Sequence, residues 1–124
     1  MNVSRVFDIT KPIYLQIIDH IKISLANGNY APGDKIPSVR DFALEFEVNP
    51  NTVQKALTEL EREGLLRSER TSGRFVTDDE KRITSLKKDI TETLVKEFVL
   101  GMKEYGINAD DIIKYVNDYL GKEE

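Results

Sequence analysis

The stretch VNPNTVQKALTELEREGLL, residues 48–66, predicts one short helix with a clear start and a clear end. Asn49 and Pro50 are typical of a helix N-cap and first helical position, since the side-chain amide caps a free N–H and proline lacks one. Gly64 is typical of a helix end. One face of this predicted helix is apolar and consists of Val53, Ala56, Leu57 and Leu60. The spacing therefore predicts an amphipathic helix.

The opposite face of the same helix contains no acid, although the chain holds 22 acidic and 18 basic residues. It is formed by Asn51, Lys55, Thr58 and Arg62. A surface without carboxylates suits an approach to phosphates, and Asn and Lys side chains can also donate to base edges in the major groove. Two interpretations stay open: a DNA-reading edge, or the solvated back of an amphipathic helix. In the first, Asn51, Thr52 and Lys55 lie nearest the bases, whereas Thr58 and Arg62 lie farther along and contact phosphate or solvent.

The elements before this helix predict two more helices. Helical spacing predicts one over residues 11–27, with Thr10 as its N-cap, and another over 38–46, with Ser38 and Asp41 as a capping box. Lys35 and Ile36 could form a very short strand between them. Ser38 and the amides at its helix N-terminus could hold a phosphate, and Arg40 could reach the DNA backbone or a base edge. The alternative is that Ser38 is only a cap and Arg40 only pairs with an acid.

The residues after the central helix predict a β-hairpin over 65–76 with a polar tip at residues 70–74. Arginines cluster here, and Arg62, Arg67, Arg70 and Arg74 predict a local basic surface. Such a tip can enter a minor groove, where arginine is attracted by the negative potential, or it can be an ordinary polar turn. The order of elements predicts a mainly α-helical fold with a small hairpin, a winged helix-turn-helix, over residues 1–77.

Residues 78–124 predict a separate helical segment. Apolar residues mostly at spacings of three and four predict a long amphipathic helix and then a second helix. The residues expected to face a partner are Ile83, Leu86, Ile90, Leu94, Phe98, Tyr105, Ile112 and Val116. Two helices leave part of such stripes uncovered, so a second copy of the chain is expected to cover the rest. The segment is therefore predicted to mediate homodimerisation.

The composition argues against an enzyme, a metal site or a membrane protein. The chain has no cysteine and one histidine, His20, so neither a nucleophile–base pair nor a zinc site can be assembled, and no cofactor is expected. The N-terminal residues lack the apolar run of a signal peptide, and no segment reaches the length of a membrane span, which predicts a cytoplasmic location. The net charge of −4 comes entirely from residues 78–124, which hold eight bases and twelve acids. Residues 1–77 are balanced.

The run from Pro12 to Val76 closely resembles the DNA-binding domain of the GntR family of bacterial transcriptional regulators. The motifs PGDKIPSVR, NPNTVQKAL, LEREGLL and GRFV occur in the family's order and spacing. The resemblance implies contacts to double-stranded DNA from Ser38, Arg40, Asn51, Thr52, Lys55, Ser72, Gly73 and Arg74. Many members carry Ser-Arg before Thr-Val, where this chain has Pro50 and Asn51, so the operator need not match theirs.

The tail after the hairpin resembles that of the short YtrA subfamily, in which two helices mediate dimerisation and whose members often regulate transporter operons. The sequence thus predicts a homodimeric DNA-binding regulator, more readily a repressor than an activator, on a pseudo-palindromic operator. The alternative is a helical protein–protein interaction module that does not bind DNA. A small-molecule effector is neither predicted nor excluded.

Overall fold

The computed structural model describes residues 7–123, which form two compact units that divide between Lys87 and Lys88. The elements are α1 (Ile13–Ala26), α2 (Val39–Phe46), α3 (Pro50–Arg62), β1 (Leu66–Glu69), β2 (Gly73–Val76), α4 (Glu80–Glu104) and α5 (Ala109–Glu123). Helix α4 begins in the first unit and continues into the second. This order confirms the predicted winged helix-turn-helix, and the predicted limit between residues 77 and 78 stays a prediction.

The core of the first unit lies where α1, α2 and α3 meet the hairpin. The largest side chains that are fully buried come from all of these elements: Ile17, Ile21, Leu25, Phe42, Val53, Leu57, Leu60 and Val76. Each contributes about 1.5–3 kcal/mol of hydrophobic stabilisation. His20 lies edge-on against Phe46, with ring centroids 5.1 Å apart, so the single histidine packs on the edge of this core.

Side-chain caps begin three helices, two of them at the predicted residues Ser38 and Asn49. Ser38 Oγ accepts a hydrogen bond from the Asp41 amide at 3.0 Å, Asn49 Oδ1 accepts from Asn51 at 2.7 Å, and Asn108 Oδ1 accepts from the Asp111 amide at 2.9 Å. These bonds satisfy N–H groups that a helix leaves without an internal partner. They fix where α2, α3 and α5 begin.

The predicted cap of α1 is wrong. The helix begins at Ile13 with Pro12 in the N-cap position and has no side-chain cap bond. Thr10 Oγ1 instead donates to the Asp8 carboxylate at 2.6 Å. The physical reason is that a proline disfavours helical backbone in the residue before it, so Lys11 cannot belong to the first turn.

The predicted short strand before α2 is a single bridge to the wing, the hairpin of β1 and β2. Lys35 pairs with Phe75 in antiparallel fashion, and the Ile36 amide donates to the Arg74 carbonyl at 3.0 Å. In the hairpin, Leu66 pairs with Val76 and Glu69 with Gly73. The bridge holds the start of α2 beside the wing.

Candidate nucleic-acid interface

A groove of about 520 Å³ runs between the N-terminus of α2 and the wing. Four of the predicted DNA-binding residues line it, namely Ser38, Ser72, Gly73 and Arg74. Lys35 lines the same groove and carries a further positive charge that the sequence reasoning did not single out. Its position is explained by the bridge between Lys35 and Phe75, which no periodicity in the sequence reveals. The groove is open to solvent and offers hydroxyl and cationic side chains, the groups that contact phosphates.

A second depression lies at the N-terminal end of α3, and it brings together the other predicted reading residues. Asn51, Thr52 and Lys55 line it with Tyr14 of α1. Asn51 and Lys55 are exposed and Thr52 is half-buried. The Lys55 Nζ lies 3.9 Å from the centroid of the Tyr14 ring. Tyr14 was not predicted as a site residue, because helical spacing shows which face of α1 is apolar but not what that face meets.

Arg40 lies in the first turn of α2, exposed, and lines neither depression. Within residues 7–123 it forms no ion pair, so the alternative in which it only pairs with a nearby acid does not describe this structure. A guanidinium without a carboxylate keeps its full charge for a phosphate or a base. Arg40 is therefore free to contact DNA.

The acids on the flanks of α3 are all neutralised by cations. The three ion pairs are Glu59 with Arg62 at 2.8 Å, Glu61 with Arg74 at 2.5 Å, and Glu63 with Lys22 at 3.0 Å. Carboxylates beside a reading helix would repel phosphates, and a bound cation weakens that repulsion. The centre of the exposed face of α3 contains no acid, as the sequence showed. The ion pairs neutralise the acids at its edges as well.

The same pairing changes the interpretation of the arginine cluster. Arg62 and Arg74 hold the glutamates of α3, and Arg67 pairs with Glu69 and, at 3.2 Å, with Asp78. Of the four clustered arginines, only Arg70 forms no ion pair among the described residues. The positive charge available to a ligand thus comes from separate places: Lys35, Arg40, Lys55 and Arg70.

Arg74 connects the wing to α3. Its Nε donates to Glu61, and the two side chains are only 19% and 27% exposed. Ser68 Oγ of β1 donates to the same carboxylate. Burial alone raises the pKa of Glu61, but the hydrogen bonds from Ser68 and Arg74 outweigh it and hold that pKa below its usual value. Arg74 therefore has an oriented side chain, with its remaining N–H groups left for another partner.

The residues predicted to form the dimer lie in different surroundings. Ile83 and Leu86 are partly buried and pack against the core of the first unit, and Ile112 of the second unit is 7% exposed. Ile90 is half-buried. The other four are exposed, and these are Leu94, Phe98, Tyr105 and Val116. An apolar groove of about 260 Å³ in the second unit is lined by Phe98, Met102, Tyr115, Val116, Tyr119 and Leu120.

Metal and membrane sites are not found in the part of the chain that the structure describes. Residues 7–123 hold no group of three or more His, Cys, Asp or Glu side chains that could bind a metal ion. No helix among them is long and apolar enough to cross a membrane.

Comparison with known proteins identifies the first unit. Residues 13–76, more than half of the chain, match the family described as "Bacterial regulatory proteins, gntR family". The chain is 37% identical over 108 residues to the HTH-type transcriptional repressor YtrA of Bacillus subtilis, covering 86% of this chain and 83% of that protein. A GntR family transcriptional regulator from Listeria monocytogenes superposes with a TM-score of 0.86 at 41% identity, covering 90% of this chain and 98% of that one.

A DNA complex is among the similar structures. The AraR DNA-binding domain bound to operator ORX1 superposes with a TM-score of 0.53 at 28% identity, over 62% of this chain and 93% of that one. The family consists of transcriptional regulators, which are not enzymes. The chain belongs to the GntR family of helix-turn-helix transcriptional regulators, and its relatives include YtrA.

Proposed function

We propose that this protein is a homodimeric repressor that places α3 of each protomer in a major groove of a pseudo-palindromic operator. The observation that carries the proposal is the exposed face of α3, on which Asn51 and Lys55 lie free of acids while every flanking glutamate is neutralised. A separate groove between Ser38 and the wing holds the remaining predicted contacts except Arg40. A helix that reads base edges in the major groove needs an exposed face without acids, and contacts to the phosphates on either side of the groove orient that helix.

The proposed contacts divide between bases and backbone. Asn51, Thr52 and Lys55 at the N-terminal end of α3 read base edges, where Asn suits adenine and Lys suits guanine. Ser38 and Arg40 of α2 bind the phosphates beside them. The wing residues Ser72 to Arg74 lie along the neighbouring backbone. Arg70 at the same tip, which forms no ion pair among the described residues, is the arginine that a minor groove would favour.

The homodimer is proposed from the apolar surface of the second unit. Phe98 is 46% exposed and Leu94 is 60% exposed, and both lie on α4 with further exposed apolar side chains on α5. A contiguous apolar surface of this kind is uncommon on monomeric proteins and marks an interaction site. A second copy of the chain supplies a surface of matching character, and its symmetry sets two half-sites about one helical turn apart, or a multiple of that distance.

Repression is the simplest mode of action for such a dimer, because occupying promoter DNA needs no further contact. The relative YtrA is named a repressor. Control of a transporter operon is proposed only from the resemblance of the tail to that of the YtrA subfamily. The operator bound by the present protein would lie in the bacterial cytoplasm, so we expect the protein to act there.

Selection of duplexes from a random pool, followed by sequencing, tests the proposed function. We expect a site with dyad symmetry, whose two halves are separated as the dimer requires. Failure to retard even random duplex at low salt would leave the alternative of a helical interaction module that does not bind DNA.

Arg40→Ala tests the contact residues on the selected duplex. Loss of one charged contact costs about 1–3 kcal/mol, so affinity should fall about fivefold to 150-fold. Lys96→Ala, which removes an exposed cation from α4 in the second unit, is the matched control and should leave affinity unchanged. Equal affinity for Arg40→Ala and the unmodified protein would remove Arg40 from the interface.

A further inference from the structure

We propose that Tyr14 is a positioning residue for DNA binding, whose ring holds the Lys55 ammonium at the N-terminal end of α3. The inference rests on the proposed function, since it requires Lys55 to contact DNA. Lys55 Nζ lies 3.9 Å from the ring centroid, well within the distance at which an ammonium is attracted to the face of an aromatic ring. The two residues come from different helices, so the contact also links α1 to the reading helix.

The Tyr14 ring is itself held in place. Tyr14 is half-buried and packs against the core of the first unit, whereas Lys55 is exposed. A flexible lysine thus lies on a fixed surface. Lysine has large rotamer freedom, and ordering it before DNA arrives lowers the entropy that binding must otherwise remove.

The neighbouring acid does not compete for Lys55. Glu59 lies four residues after Lys55 on α3, a spacing at which a Lys–Glu pair commonly forms. In this structure Glu59 pairs with Arg62 at 2.8 Å instead. Within residues 7–123, Lys55 forms no ion pair, and Tyr14 is the partner that orients it.

An aromatic ring differs from a carboxylate in what it leaves to DNA. The ring attracts the ammonium through its quadrupole and carries no net charge, so Lys55 keeps its positive charge. A carboxylate at the same place would orient the lysine but cancel its attraction to phosphate. Tyr14 therefore positions the Lys55 ammonium without neutralising its charge.

Affinity for the selected duplex tests the inference through a cycle of variants. Tyr14→Leu removes the ring, and Tyr14→Phe keeps it and removes only the hydroxyl. An exposed cation–π contact is worth about 0.5–1 kcal/mol, so Tyr14→Leu should weaken binding about twofold to fivefold while Tyr14→Phe binds like the unmodified protein. In a Lys55→Ala background, Tyr14→Leu should have no further effect.

Each contrary outcome has a distinct meaning. An equal loss from Tyr14→Leu with and without Lys55, or tighter binding by Tyr14→Leu, would overturn the positioning role. If Lys55→Ala weakens binding and Tyr14→Leu does not, only this inference fails. If Lys55→Ala binds normally, the proposed reading contact of Lys55 fails as well.

A spectroscopic measurement on the free protein tests the contact without relying on affinity. Protons of the Lys55 ε-methylene should resonate upfield in the unmodified protein and in Tyr14→Phe, because this group is bonded to the Nζ that lies 3.9 Å from the ring centroid. The shift should vanish in Tyr14→Leu. Ordinary lysine shifts in the unmodified protein would overturn the inference.

Discussion

Glu61→Gln probes the contact that joins the wing to α3. The change removes the charge of the carboxylate and keeps its shape. In the native protein that carboxylate accepts hydrogen bonds from Ser68 Oγ and Arg74 Nε. Arg74 is 19% exposed, so water replaces its lost partner only in part. We expect the wing to loosen and the first unit to become less stable.

The size of the effect follows from these two bonds. A hydrogen bond to a charged group contributes about 1.5–3 kcal/mol and a neutral one about 0.5–1.5 kcal/mol, so each bond loses about 1 kcal/mol when the charge is removed. Partial exposure reduces the total to about 1–2 kcal/mol. For a unit of this size the melting temperature falls about 4–8 °C for each kcal/mol, so a decrease of about 5–15 °C is expected.

The effect should depend on pH in one direction. The pKa of Glu61 is lower in the folded protein than its ordinary value of 4.5. The ionised carboxylate therefore contributes its stability in full above about pH 4.5, and the contribution is lost as the pH falls through the folded pKa. The difference in unfolding free energy between the native protein and Glu61→Gln should be complete at pH 7 and shrink below about pH 4.5.

Thermal and urea unfolding measure this difference, with Glu59→Gln as the matched control. Glu59 lies on the same helix, and its partner Arg62 is 72% exposed, so that pair should contribute less than about 0.5 kcal/mol. The reasoning would be refuted if both variants lost the same stability at pH 7. It would also be refuted if the effect of Glu61→Gln were the same at about pH 3 and at pH 7.

Three further substitutions test the backbone and the proposed dimer. Gly64→Ala should destabilise by about 1–2 kcal/mol in urea unfolding, because φ is +78° and the alanine side chain disfavours that region. Glu47→Gly should stabilise by up to about 1 kcal/mol in the same assay, because Glu47 has φ +58° at the end of α2 and glycine adopts it without strain. Phe98→Asp should convert a dimer to monomers in sedimentation, since a charge would enter an apolar seam. Ile23→Asp, at another exposed apolar position on α1, should leave the mass unchanged. A dimer that persists in Phe98→Asp would exclude this face.

Most of the fold could be predicted from the sequence because its signals are local. Ser38 and Asn49 cap helices through amides two or three residues away, so residue type and spacing alone revealed where α2 and α3 begin. The start of α1 was missed because Pro12 keeps Lys11 out of the first turn, and Thr10 donates to Asp8 instead of capping the helix. The left-handed turn at Glu47 was also hidden, since a glycine would ordinarily mark such a place.

The candidate site was less predictable, because its electrostatics depend on pairs between distant residues. Periodicity predicted the exposed face of α3, but not that Arg74 would be held by Glu61, thirteen residues earlier. Nor could it show that Lys55 lies on Tyr14, which belongs to another helix. A count of arginines overstated the charge of the wing, since an arginine already bound to a glutamate adds little net charge to the field that phosphates meet.

The same limit applies to the apolar stripe of α4. Its spacing is uniform from Ile83 onwards, yet Ile83 and Leu86 pack against the core of the first unit while Leu94 and Phe98 remain exposed. A helical period shows that an apolar face needs a partner, but it does not show which partner covers each turn. The burial of the first two residues within one chain reduces the apolar surface that they can offer to a second one. The proposed dimer seam is therefore best centred on the residues from Leu94 onwards, where Leu94 is 60% exposed and Phe98 is 46% exposed.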